Sequence, residues 1–121
     1  MARILVVSPD EAVRKTLMRL VTRRGHEGGA SVSTARYVKT RLRESWDAAL
    51  IDVSARSDEG LAALSIAHQR DPSLPIAAID SGGDSPGLDR LARALRLGAV
   101  EFMRMPIDRL DAAALMERLS L

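Results

Sequence analysis

Short unbroken apolar runs alternate along the chain with longer stretches in which apolar positions recur at helical spacing. Ile4 to Val7 is β-branched and continuous, the signature of a strand buried on both faces. Ser8-Pro9-Asp10-Glu11 follows it: serine suits a helix cap, proline the first helical position, and Glu11 completes a capping box. Val13, Leu17, Leu20 and Val21 then repeat as one helical face, and Gly25 can close that helix after Arg23 and Arg24. Glu27 to Ser31 contains two glycines and reads as a short, poor edge strand. Thr34 to Glu44 reads as a helix with Tyr37, Val38 and Leu42 on one side.

The same alternation continues to the end. Ala48 to Ile51 is an apolar run that stops at Asp52, and Gly60 to Gln69 is an Ala/Leu-rich helix closed by Asp71-Pro72. Ile76 to Ile79 stops at Asp80, and the segment 81–87, with three glycines and a proline, is a loop. Leu88 to Leu97 is helical up to Gly98, Val100 to Met103 is a fifth strand, and Asp108 caps a last helix through Ala113, Leu115 and Leu119. Strand and helix therefore alternate five times, which predicts an α/β domain whose parallel sheet is covered on both faces. In such sheets function gathers at the carboxyl ends of the strands, here Ser8 to Glu11, Asp52, Asp80 with Ser81, and Arg104-Met105-Pro106.

Composition narrows the picture. The 121 residues fit one domain, 1–121. There is no cysteine, so disulfides and thiolate metal sites are excluded. No stretch is long and apolar enough to span a bilayer or serve as a signal peptide, so a cytoplasmic protein with no membrane partner is expected. The pI of 9.7 accompanies a net charge of only +2, a weak excess for a nucleic-acid binder, and nucleic acid is not expected as a partner of this domain alone. No nucleophile–base pair, Gly-rich phosphate loop or metal-ligand cluster is evident, so the chain is not read as an enzyme.

Several segments in order resemble the receiver domain of response regulators. They are Arg3-Ile4-Leu5-Val6-Val7, the turn Gly25-His26-Glu27, Asp47 to Asp52 followed by Gly60, Leu74-Pro75-Ile76, Gly98 to Phe102, and Met105-Pro106. The resemblance covers essentially the whole chain. It implies a CheY-like, flavodoxin-like (βα)5 three-layer sandwich with a five-stranded parallel sheet in the order 2-1-3-4-5. It also implies a role in two-component phosphorelay signalling, with Asp52 as phosphoacceptor, Mg²⁺ as cofactor, and a histidine kinase or downstream output protein as partner. In that chemistry a carboxylate attacks a phosphoryl group while a metal and an ammonium offset the negative charge.

The sequence departs from the family pattern where that chemistry needs support. The acidic pair after the first strand falls on Ser8 and Pro9, the hydroxyl position on Asp80 and the lysine on Met105. Asp10 and Glu11 are candidate substitutes as Mg²⁺ ligands or, alternatively, plain helix-capping acids. Ser81 is a displaced hydroxyl, and Arg56 stands where the family has a proline. If Asp52 and Asp80 share a cleft, a cation is needed between them. Arg56 or Arg104 could serve, and strand alternation makes Arg104 the weaker candidate. The loop after Asp80 is longer than the family pattern.

Other positions have a bland reading beside the functional one. Phe102 occupies the place of the family's switch aromatic and equally suits plain core. Trp46 is expected as a partly buried cap on the preceding helix, and His26 and His68 as surface residues. Arg90, Arg93, Arg96, Arg104 and Arg109 populate the fourth helix, fifth strand and fifth helix, the face through which the resemblance implies homodimers and output contacts. Two functions stay open: a receiver modified at Asp52 with a degraded Mg²⁺ and phosphoryl site, or a phosphorylation-independent pseudo-receiver that binds a protein or ligand.

Overall fold

Ile4, Leu5, Val6 and Val7 are wholly buried because β1 (Arg3–Val7) has a strand on either side and helices above and below. The computed structural model describes residues 1–54, 58–82 and 88–121. Its further elements are α1 (Glu11–Arg23), β2 (Glu27–Ser31), α2 (Ala35–Arg41), β3 (Ala48–Asp52), α3 (Glu59–Arg70), β4 (Ile76–Asp80), α4 (Leu88–Arg96), β5 (Glu101–Arg104) and α5 (Arg109–Arg118). All pairings are parallel and the sheet order is β2-β1-β3-β4-β5, the expected topology.

Alternation along the strands divides the core into two layers. Ile4, Val6, Ala48, Leu50, Ala77 and Ile79 meet Val13, Leu17 and Val21 of α1 and Leu115 and Met116 of α5. Leu5, Val7, Ala49, Ile51 and Ala78 meet α2, α3 and α4 on the other side, with Phe102 packed against them.

Helix ends follow local chemistry, with one correction. α1 closes in a Schellman motif: Gly25 at φ 81° donates to Thr22 O, and His26 N–H donates to Val21 O. Asp108 caps α5 by accepting from Asp111 N at 2.8 Å. Ser8, however, does not cap α1. That role belongs to Asp10, whose Oδ1 accepts from Ala12 N at 2.9 Å, because the Ser8 side chain is turned into the sheet.

α2 is shorter than its pattern suggests. Its last carbonyl, Arg41 O, accepts from Glu44 N–H at 3.1 Å in a turn and from Trp46 Nε1 at 2.8 Å. Val38 and Leu42 form its buried stripe, whereas Tyr37 is exposed. Trp46 is half-buried, as expected, and the guanidinium carbons of Arg3 and Arg41 lie 4.7 and 5.2 Å from its ring centre. Glu44 holds both arginines, at 3.1 Å each. This stack explains the poor strand β2: a Cβ at Gly29 would run into the Trp46 ring and Arg41.

His68 is also corrected. It is half-buried, with its ring packed where a side chain at Gly98 would lie, so Gly98 at φ 122° is required on both steric and backbone grounds. His26 is likewise half-buried and accepts from Ala2 N at 3.1 Å.

Gly29→Val should lower stability by about 1–3 kcal/mol despite valine's higher strand propensity, because it overpacks against Trp46. Urea unfolding checks this. A Trp46→Leu background should relieve most of the loss, and an equal loss in both backgrounds would contradict the packing account.

Candidate functional site

The parallel register Val7↔Ile51 carries the first residue after β1, Ser8, level with the last residue of β3, Asp52. Both are buried, Ser8 at 0% and Asp52 at 2% exposure. A buried carboxylate is strongly disfavoured unless it is hydrogen-bonded. Ser8 Oγ donates to Asp52 Oδ2 at 2.7 Å, and Ser54 N donates to Oδ1 at 3.0 Å, so each oxygen has a donor from the chain itself. The serine is fixed in turn: its N–H donates to Ser31 O, its Oγ accepts from Asp10 N at 3.1 Å, and Arg14 Nη1 donates to its carbonyl at 2.8 Å.

The remaining candidate residues surround this pair without joining it. Asp10 is occupied as the α1 cap and Pro9 is exposed. Glu11 is exposed and pairs with Lys15 at 3.3 Å. Among the described residues no group of three or more His, Asp or Glu side chains converges as a cation site.

Asp80, at the end of β4, accepts from Gly82 N at 3.1 Å, and its other oxygen lies 3.8 Å from Arg104 Nε. Arg104, the candidate that strand alternation ranks below Arg56, thus lies within ion-pair distance of Asp80. Asp80 and Arg104 are direct register partners, and alternation places both on the sheet face opposite Met105. Met105 is half-buried against the α1/α5 core layer, and the Met105–Pro106 peptide is cis. Phe102, opposite Ala78, is half-buried in the other layer. Arg56, and the loop residues 83–87 whose length departs from the family pattern, lie outside the described residues.

Two contacts were not foreseen. Ser8 as the donor to Asp52 was legible in principle: two apolar runs of equal length, each ending in a polar residue, place those residues side by side when paired in parallel. Arg90 of α4 is the second. Its Nη1 donates to the Val53 carbonyl at 3.4 Å, and its Nη2 lies 3.4 Å from Asp58 Oδ1, with Arg93 3.7 Å from the same oxygen. Helix α4 is thus tied to both described ends of the β3–α3 connection. Gly60 governs the same connection from below: a Cβ there would strike the Asp52 carbonyl and Val53 Cα.

No family model matches the chain. Among curated proteins, the DNA-binding transcriptional regulator NtrC of Escherichia coli is 32% identical over 120 residues, 95% of this chain and 24% of NtrC. A CheY-like response-regulator receiver domain protein from Methanospirillum hungatei superposes with a TM-score of 0.82 at 23% identity, covering 99% of this chain and 94% of the other. The chain is a response-regulator receiver domain. A protein assigned to pilus assembly (cpaE) from Burkholderia thailandensis shares the fold at a TM-score of 0.78 and 27% identity, with both chains covered completely. The receiver spans about a quarter of the length of the curated relatives it matches.

Gly60→Ala should destabilise the receiver by about 1–3 kcal/mol, although alanine is the better helix former, because the obstructing atoms are backbone. Denaturant unfolding measures the loss, and amide shifts should centre on Asp52 and Val53. A stabilised variant would contradict the close approach.

Proposed function

We propose that this receiver is a signalling module that works without phosphorylation at Asp52. The observation that carries the reading is the 2.7 Å hydrogen bond from Ser8 to the Asp52 carboxylate. The family chemistry needs acceptors around a cation at this point, and Ser8 instead presents a donor. At Asp80 the polarity is reversed the other way, since an acceptor stands where a hydroxyl donor is needed. At Met105 an apolar side chain replaces the ammonium.

Three complementary groups are thus altered together. The donor set does not fit Mg²⁺: Ser8 hydrogen-bonds to Asp52, Asp10 caps a helix and Glu11 is paired with Lys15. Bringing a phosphoryl group to Asp52 without a metal or fixed ammonium would leave its negative charge facing a carboxylate.

In this reading the partner is a protein engaged constitutively, in the cytoplasm, and the α4–β5–α5 face is a contact surface for an output protein or a second copy. Leu95 of α4, 47% exposed, and Leu110 of α5, 82% exposed, are apolar side chains that those helices offer to such a partner. Among the described residues no helix is long and apolar enough to cross a membrane. Phe102 acts as core packing rather than a phosphorylation-driven switch.

Beryllofluoride with Mg²⁺, followed by NMR, tests the reading. The receiver should show no shifts centred on Asp52 at millimolar ligand. A variant carrying Ser8→Asp, Asp80→Thr and Met105→Lys should gain a Mg²⁺-dependent response. Shifts in the unaltered receiver that require Mg²⁺ and vanish on Asp52→Asn would overturn it.

A further inference from the structure

Helices α1 and α5 are separated by a groove of about 500 Å³, within the range of small-ligand sites. Its apolar lining comes from Leu17, Leu20, Met105, Ile107 and Ala112. Four arginines also line it: Arg19, Arg23 and Arg24 at the end of α1, and Arg109 at the start of α5. None of the four makes an ion pair with a described residue.

Their placement is uneven in energetic terms. Arg23 and Arg24 suit the negative carboxyl end of α1. Arg109 sits at the positive amino end of α5, where a cation is disfavoured and an anion would be stabilised. The acid in the lining, Asp108, has Oδ1 committed to Asp111 N and cannot neutralise four guanidiniums. Arginine forks match phosphate oxygens in pairs, and a long, flexible methionine adapts to a planar apolar group.

We propose that this groove binds an organic phosphate of the nucleotide class, with its phosphates on the arginines and its base on Leu20, Met105 and Ile107. The groove follows α1 only from Thr16 to Arg24. That is about 12 Å of helix at 1.5 Å per residue, which suits a nucleotide better than a docked helix of several turns. Met105 connects the groove to the altered centre: the residue that removes the cation from the Asp52 site lines the new one. The inference does not rest on the state of Asp52, because none of the four arginines hydrogen-bonds to its carboxylate.

NMR titration with ATP, inorganic tripolyphosphate and adenosine tests it, on the receiver and on its Asp52→Asn form. ATP should shift the amides of Leu20, Met105 and Ile107 equally in both forms, and should bind more tightly than either fragment. The double variant Arg23→Gln, Arg109→Gln should weaken ATP by about tenfold or more, since charge-assisted bonds are lost. Met105→Glu, at the groove's half-buried floor, should weaken it independently of the rim. No shifts at about 5 mM ATP, tripolyphosphate binding as tightly as ATP, or unchanged affinity in the double variant would each overturn the assignment. So would occupation of the groove by an acidic peptide that ATP fails to displace.

Discussion

A carboxylate cut off from water must be satisfied from within the molecule, and in this receiver the donors are Ser8 and Ser54. The Ser8 contact joins the first residue after β1 to the last residue of β3, so it is a product of the sheet register rather than of local sequence. It also displaces the helix cap by two residues, from Ser8 to Asp10, and thereby sets where α1 begins. The beginning of the site, the start of the first helix and the engagement of Asp52 are consequences of one hydroxyl.

Several charged side chains around the described strand ends are paired with neighbours. Asp80 faces Arg104 across β4 and β5. Arg90 and Arg93 hold Asp58, and Arg90 reaches the Val53 carbonyl beside Asp52. These pairs are partly exposed, and each contributes on the order of 1 kcal/mol at most. Their effect is positional: they connect α4 to the β3–α3 connection in a single arrangement.

Much of this architecture is legible in the sequence because burial on both faces leaves a strong mark. The runs 4–7, 48–51 and 76–79 are core strands, and Gly25 and Asp108 end and begin helices by chemistry confined to a few residues. The departures at Ser8, Asp80 and Met105 are legible too, as residue types at strand ends. What they do is not, because it depends on partners distant in sequence. Trp46 donates to the last carbonyl of α2, His68 requires the glycine of the last turn before β5, and the β4–β5 register pairs Arg104. Tyr37 lies one residue off the Val38 and Leu42 stripe, a rotation that periodicity over so short a helix does not resolve.

The central claim is that Ser8 and Asp52 act as one unit in the folded receiver. A double-mutant cycle in denaturant unfolding, with Ser8→Ala, Asp52→Asn and both together, measures it most directly. The account predicts a coupling of about 1–3 kcal/mol, the scale of a hydrogen bond to a buried charged group. Strictly additive losses would show that the two side chains do not depend on each other, and would leave Asp52 available for chemistry.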